Sequence, residues 1–468
     1  MRVVLLNRYR SGGIPSSNML FDYNGAVGVT DAGSGAVSQW NDQSGNGRHL
    51  VQATGANRPT TGVATINGIN AIRFPTAGSS INLSTGTITS FGPVRTIYMV
   101  VKTPGQVGGG VNAYRNLIKS NQVQYLGVGE SAASGLQSAM YCYDGTARGT
   151  TGVMYDRTAC YTVRMDGNNA SSSSFRRNGA ETFAAWTGAT AANNSPTSIT
   201  LGGTSSDAGK FDVVRIIGYS VKHTDAEAAA IEAQLNALYA FAPATGRLAG
   251  LMLPDHWFDF SLTADITSSG GAVSSVVNRG VTGVAATAAG TAQPTTGSAT
   301  INGRNVLTFD GSSDFLGVND TMEVRGATGL AVVKTNGFTT NAAIIGPSGN
   351  GGFLWRIDTT TGKPSIVKSN VIGIGTATNA VTDATATLLG ATYECDGDRW
   401  WHRKAKASNG SGTSTSGLTG TNTFQIGRDR ATSDYFKGDI GEVAYWKGWM
   451  TELEFAYYET ALGAQWGL

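Results

Sequence analysis

Three cysteines, four histidines and a 14% share of charged residues are all that 468 positions carry, and each shortage closes off a class of function. Cys142, Cys160 and Cys395 are too few, and odd in number, for a disulfide scaffold, so folding in a reducing cytoplasm is expected. His49, His223, His256 and His402 are too scattered to suggest a catalytic triad or a zinc site. The charged share sits well below the usual value of about 25%. With 34 Lys and Arg against 32 Asp and Glu, the net charge is +2, which excludes electrostatic capture of nucleic acid or anionic membrane. No apolar run approaches the roughly 20 residues of a membrane span. The first such run, Val3–Leu6, stops at once, so neither signal peptide nor membrane anchor is expected.

What is abundant points to strands and turns. Glycine, at 64 residues, is about twice its usual share of roughly 7%. The 11 prolines leave Gly plus Pro well short of the roughly 25–30% expected of low-complexity chains. A 40% hydrophobic content supplies real cores, and Thr, Ser, Asn and Ala fill the gaps between short apolar runs.

The chain is written twice. Pro59-Thr-Thr-Gly-Val-Ala-Thr-Ile-Asn-Gly-Ile-Asn-Ala-Ile-Arg-Phe74 returns as Pro294-Thr-Thr-Gly-Ser-Ala-Thr-Ile-Asn-Gly-Arg-Asn-Val-Leu-Thr-Phe309, with eleven identities in sixteen positions. Phe21-Asp22-Tyr23 recurs as Phe258-Asp259-Phe260, Gly35–Ser38 as Gly271–Ser274, and Val100–Thr103 as Val332–Thr335. A period this long is a duplication of whole domains, because repeats of about 20–50 residues are the mark of solenoids.

Inside each copy, β-branched and aromatic runs are cut by Gly, Asn and Asp turns. Strands are expected near 95–102, 122–128, 161–166, 198–201 and 213–221, and again near 329–334, 352–358, 391–396, 424–427 and 441–446. The fold class is therefore all-β: two tandem antiparallel β-sandwich (jelly-roll) domains, with one face of most strands dry and the other solvated. Each is closed by a short C-terminal helix, announced by the capping boxes Thr224-Asp-Ala-Glu227 and Thr451-Glu-Leu-Glu454. The expected buried stripes are Ile231, Leu235, Leu238 and Tyr239 in the first helix, and Leu453, Ala456, Tyr457, Thr460 and Ala461 in the second. The expected boundaries are an N-terminal docking arm at 1–18, a first sandwich at 19–241, a packed linker at 242–254 and a second sandwich at 255–468.

These residues resemble the concanavalin A-like lectin/glucanase sandwiches, specifically the laminin-G-like jelly-roll modules common in bacterial surface proteins and in phage tail and virion proteins. The resemblance spans most of both copies. It is carried by Trp40-Asn-Asp-Gln-Ser-Gly-Asn-Gly-Arg-His49, by Arg58-Pro59 with the following Asn67-Gly68…Phe74 strand, and by Phe436-Lys-Gly-Asp-Ile-Gly-Glu-Val443 with the helix ending Gln465-Trp-Gly467. The second copy departs from it at Val276-Val-Asn-Arg-Gly-Val-Thr282, and the first has Arg215 where the second has Glu442. The family hosts sugar binding, protein binding and catalysis, so function must be argued from sites.

A sandwich glycosidase needs two carboxylates facing one cleft about 5–10 Å apart. The nearest cluster, Glu394-Cys-Asp396-Gly-Asp398, reads as a hairpin turn, so no catalytic residues are expected. Asp42, Ser44 and Asn46, with Gly47, match the first half of a calcium loop, but Ala53 stands where the bidentate Glu belongs. No resident cofactor is expected, with weak calcium or ligand contact at that half-loop as the alternative to a plain turn. For glycan, an aromatic ring must stack on a pyranose beside hydrogen-bonding groups. The candidates are Trp400, Trp401, His402 and Arg403, then Trp355 with Arg356 and Asp358, then Trp40 with Arg48 and His49; Trp186, Trp446 and Trp449 read as packing. Cys142 and Cys160 read as buried thiols.

The functional expectation is a non-enzymatic bacteriophage virion structural protein, in a tail fibre, spike or head decoration. It would be folded in the host cytoplasm, joined to other virion proteins through residues 1–18 and assembled as a homo-oligomer. It would touch host surface carbohydrate, with no nucleic-acid partner and no membrane insertion. The alternatives are a polysaccharide-degrading sandwich enzyme and a bacterial carbohydrate-binding adhesin.

Overall fold

A computed structural model describes residues 13–75, 80–102, 114–121, 124–129, 139–143, 147–152, 157–166, 173–178, 184–185, 195–203, 210–243, 246–249, 251–322, 326–337, 341–369, 372–394, 399–414, 418–420, 422–430 and 434–468. The chain divides into two compact units, Met1–Met252 and Leu253–Leu468. Both are built almost wholly of antiparallel strands, with one long helix described in each.

The duplicated anchor folds the same way twice. Thr60–Ile66 pairs with Ile69–Phe74, and Thr295–Ile301 pairs with Arg304–Asp310. Each hairpin turns through Asn-Gly with both residues left-handed: Asn67 and Gly68 at φ 49° and 73°, Asn302 and Gly303 at 48° and 77°. That is the geometry for which Asn-Gly is selected, since its twist matches the flanking strands.

Around this hairpin each unit builds two sets of strands. In the first unit the central strand Phe211–Tyr219 lies between Val94–Lys102 and Ile69–Phe74, with Met19–Asn24 also paired to it; Thr158–Asp166 and Ser174–Arg177 extend the sheet. The opposing nine-stranded sheet includes Val37–Trp40, Leu50–Val51, Asn82–Ser84 and Thr200–Gly202. In the second unit, Lys437–Trp446 takes the central place beside Gly326–Thr335 and His256–Asp259, while Leu316–Thr321 pairs with Thr423–Ile426. There Ala272 pairs with Thr295 and joins the two sets at an edge; the matching contact in the first unit is the single bridge Ala36–Thr60.

The expectation of one solvated face fails for the central strands. Every residue of Phe211–Tyr219 and of Thr387–Glu394 is buried. The cause is the helix, α1 (Asp225–Tyr239) or α2 (Glu452–Trp466), which covers the outer face of that sheet. Both helices start with complete capping boxes, Thr224 with Glu227 and Thr451 with Glu454. Helix α1 buries Ile231, Leu235 and Tyr239 as the spacing predicts, with Leu238 half-buried. Helix α2 differs: Phe455, Tyr458, Leu462 and Trp466 are buried, whereas Ala456, Tyr457 and Ala461 are only partly covered and Thr460 is exposed. Large aromatic rings gain more from burial than alanines, and they set the rotation of the helix. The Leu453 side chain lies outside the described residues.

A buried ion pair fixes each helix to its sheet. Arg176, on Ser174–Arg177, donates through Nε to Glu232 of α1 at 2.9 Å, and Thr162 hydrogen-bonds the same carboxylate. Arg403, on Arg399–Lys404, donates to Glu459 of α2 at 2.7 Å. Glu232 and Glu459 each stand eight residues past the capping threonine. The cross-strand partners run Arg176–Thr162–Tyr98 in one unit and Arg403–Gly390–Leu330 in the other, so the arginines are equivalent.

The start of the chain does not form a free arm over 13–18. Ile14 packs on the apolar cluster that includes Ile231 and Leu235, the Tyr219 hydroxyl donates to the Pro15 carbonyl at 2.9 Å, and Ser220 N donates to Asn18 O at 2.9 Å. Residues 1–12 lie outside the described residues.

Candidate functional site

The sequence-predicted aromatic candidates are placed in packing roles. Trp40 is fully buried, with its indole N–H donated to Asn24 O at 3.0 Å, so it presents no face to a sugar. Trp355 is fully buried against Gly329 and Ile345. Trp401 lies under α2, donating to Met450 O at 2.8 Å and meeting Phe455 edge-on at 4.9 Å. Arg403, on the same face, is taken by Glu459 and Glu452. On the other face Trp400, half-buried, fills the space left by Gly375 and Gly412, and His402 is fully buried with Nε2 3.3 Å from Gly375 O. Burial pulls the His402 imidazole down to about 4, so it stays neutral. The expected alternation is therefore right in direction, but both faces are covered. Trp446 and Trp449 are buried as expected, while Trp186, Cys142, Cys395, Asp396 and Asp398 lie outside the described residues or have side chains that do. Cys160 is a buried free thiol.

The Asp42 loop is a hydrogen-bonded turn in which the carboxylate serves the backbone. Asp42 accepts from Asp22 N (2.9 Å), Ser44 N (2.9 Å), Ser44 Oγ (2.8 Å) and Arg48 N (3.1 Å). Asn46 turns its amide N–H groups to Met19 O and Leu20 O, and Arg48 donates to Leu20 O at 2.6 Å. His49 is exposed, its Nδ1 accepting from Asp42 N at 3.1 Å. Among the described residues no group of three or more His, Cys, Asp or Glu side chains is arranged to hold a metal ion.

A different place in the second unit is open to solvent. Strand Leu316–Thr321 sends Leu316 and Val318 inward and leaves Gly317 half-buried and Asn319 exposed, as strand alternation requires. Beside it run Ala286–Thr287 and Thr423–Ile426, both paired to it. Over these three strands lies a groove of about 470 Å³ lined by Thr287, Ala288, Ala289, Ala292, Phe315, Gly317, Val318, Asn319 and Thr423. Phe315, half-buried, is held in place by its N–H donated to Ala292 O at 3.0 Å. The Arg428 guanidinium lies 3.3 Å from the Phe315 ring centre and 6.0 Å from that of Tyr435, and its Nε donates to Gln425 at 3.3 Å. Small residues, hydroxyls, an amide and one aromatic ring can seat a sugar ring and bond its hydroxyls, and among the described residues no carboxylate lines the groove.

The same place in the first unit is built differently. Asn82 pairs with Gly202, and Leu83 with Leu201, as Leu316 pairs with Ile426. Gly202 and Gly427 are both left-handed, and each lies against the anchor phenylalanine of its unit, Phe74 or Phe309. Asn82 thus stands where Phe315 stands, and Gly203 where Arg428 stands. Sequence reasoning misses the site because no strand is expected over 315–318, and the segment between Phe74 and Asn82 is longer than that between Phe309 and Phe315. Only the cross-strand register aligns them.

No protein-family model and no curated protein matches this sequence. Solved structures to which it is similar include domain 4 of AbnA, an extracellular arabinanase from Geobacillus stearothermophilus in complex with arabinotriose, at 15% identity and a TM-score of 0.32, covering 44% of this chain and 98% of that one. The CBM40 module of the Ruminococcus gnavus IT-sialidase, bound to α2,3 sialyllactose, is 10% identical with a TM-score of 0.27, over 33% of this chain and 95% of that one. Domains LG4-5 of the mouse laminin α1 chain are 10% identical with a TM-score of 0.26, over 82% of this chain and 90% of that one.

Proposed function

We propose that this chain is a non-enzymatic structural protein of a bacteriophage particle, in a tail fibre, spike or head decoration, whose second jelly-roll unit contacts host surface glycan through the Phe315 groove. The observation that carries the glycan reading is the groove lining: a half-buried aromatic ring beside hydroxyl and amide groups, with no acidic side chain among the described residues that line it. The aromatic ring stacks on the apolar face of a pyranose, and Thr287, Asn319 and Thr423 hydrogen-bond its hydroxyls. A single shallow groove of this kind binds weakly, so display in many copies on a homo-oligomeric particle supplies the working affinity. The low charge and the tandem duplication fit a protein whose task is display.

The test is a glycan array probed with the full-length protein and with F315A. Binding by the wild type that F315A loses, at unchanged thermal stability, supports the reading. Equal binding by both overturns the assignment to this groove. New reducing ends or unsaturated sugars released from host polysaccharide, and lost in F315A, would replace it with an enzymatic one. Attachment of the particle-bound protein through its first residues is tested by deleting 1–12, because 13–18 pack on the first unit; incorporation of the truncated protein would overturn that anchoring.

A further inference from the structure

The groove in the second unit is flanked by a cation that meets no carboxylate among the described residues. Of the described arginines of that unit, Arg279, Arg356, Arg399, Arg403 and Arg430 each meet a carboxylate within 4.0 Å. Arg304 bonds the Gln465 carbonyl at the end of α2. Arg428 alone has neither an acidic partner nor a backbone carbonyl among the described residues; its one side-chain hydrogen bond there is the 3.3 Å contact from Nε to Gln425 Oε1. Neighbouring carboxylates are committed elsewhere: Asp429 to Ser369 and Arg430, Asp434 to Arg356, and Asp314, next to Phe315, to the Asp310 amide. The guanidinium is also held against an aromatic ring. It lies 3.3 Å over the ring of Phe315, which lines the groove, and Gln425, which receives its Nε–H, is the cross-strand partner of Gly317 in the groove floor. The ring contact seats the guanidinium beside the groove, and its two outer amino groups have no acceptor among the described residues. That is an arrangement for a planar, two-oxygen anion, since an arginine fork bonds a carboxylate through two parallel hydrogen bonds. The first unit has Asn82 and Gly203 at the two positions, so stack and charge are both confined to the second.

We infer that the second unit recognises a carboxylate-bearing glycan, a sialate or uronate, with Arg428 reading the carboxylate while the sugar ring lies along Phe315. This rests on the glycan reading of the groove and adds the charge class of the ligand. The experiment uses the full-length protein, a panel of sialate- and uronate-bearing oligosaccharides, and the same oligosaccharides with their carboxyl groups reduced to alcohols, measured by titration calorimetry. Acidic members should bind about tenfold more tightly than their reduced counterparts, the difference expected of a charge-assisted bidentate pair. R428Q should erase that difference while keeping residual binding of both forms, R428K should restore it only in part, and F315A should lose both. Melting temperatures of R428Q and R428K within about 2 °C of wild type show that the fold is kept. Equal affinity for the acidic and reduced forms, or R428Q unchanged from wild type, overturns the inference and leaves the neutral-glycan reading standing. Failure of every panel member to bind overturns both.

Discussion

Arg403 reaches from its strand into helix α2 and places its Nε 2.7 Å from the carboxylate of Glu459, with both side chains inside the second unit. The first unit repeats the arrangement with Arg176 and Glu232. Breaking a buried pair from one side leaves an uncompensated charge, at a cost of about 3–5 kcal/mol. R403A, which strands the buried Glu459 carboxylate without another ion-pair partner among the described residues, should therefore destabilise the second unit by that order, as read by urea unfolding of the full chain. A loss below 1 kcal/mol would show that helix α2 is held by apolar packing alone.

Gly427 is left-handed at φ 86°, and a Cβ there would lie 2.5 Å from the Phe309 ring; Gly202 repeats this at φ 72° against Phe74. Alanine at either position suffers both backbone strain and a clash. G427A and G202A should each lower stability by more than about 1 kcal/mol, measured by denaturant midpoint, while G283A, left-handed but with open space around it, should cost less.

The second unit should weaken as the solution is acidified. Burial lowers His402 and His256 to about 4, while in the unfolded chain both titrate near 6.5. The unfolded state then binds protons first, so the stabilisation present above pH 6.5 is lost as the pH falls towards 4, at up to about 1.4 kcal/mol per pH unit for each histidine. Asp314, raised to about 6 by burial, opposes this over part of the range because the folded unit takes up its proton. H402Q should flatten the pH dependence of the unfolding free energy by one histidine's share; an unaltered slope would contradict the assignment.

Asp42 already accepts four hydrogen bonds from its own loop and from Asp22. Millimolar calcium should leave the melting temperature unmoved, whereas D42A, which strands buried donors, should cost about 1–3 kcal/mol. A calcium-dependent rise in melting temperature that D42A removes would restore the loop as a metal site.

The features legible in the sequence are those fixed by neighbours along the chain. The Asn-Gly turns, both capping boxes, the duplication and the central strands carry their causes within a few residues, and each appears in the structure where expected. What depended on partners distant in sequence was not legible. Trp40 and Trp355 read as candidate sugar-stacking rings after Trp400 and Trp401, yet the Asn24 carbonyl and the Gly329 gap absorb them. Residues 13–18 read as an arm because nothing local indicates Tyr219 and Ile231 beneath them. Phe315 and Arg428 lie more than a hundred residues apart, and only the pairing of Leu316 with Ile426 brings them together.

The docked helices also determine where variation is tolerated. A sheet roofed by α1 or α2 needs matching changes in two elements before any exchange at its outer surface, whereas a strand such as Leu316–Thr321 presents alternate positions that can be exchanged singly. Two descendants of one ancestral module can thus keep a common skeleton and still acquire unlike contact chemistry, as Asn82 beside Gly203 and Phe315 beside Arg428 illustrate.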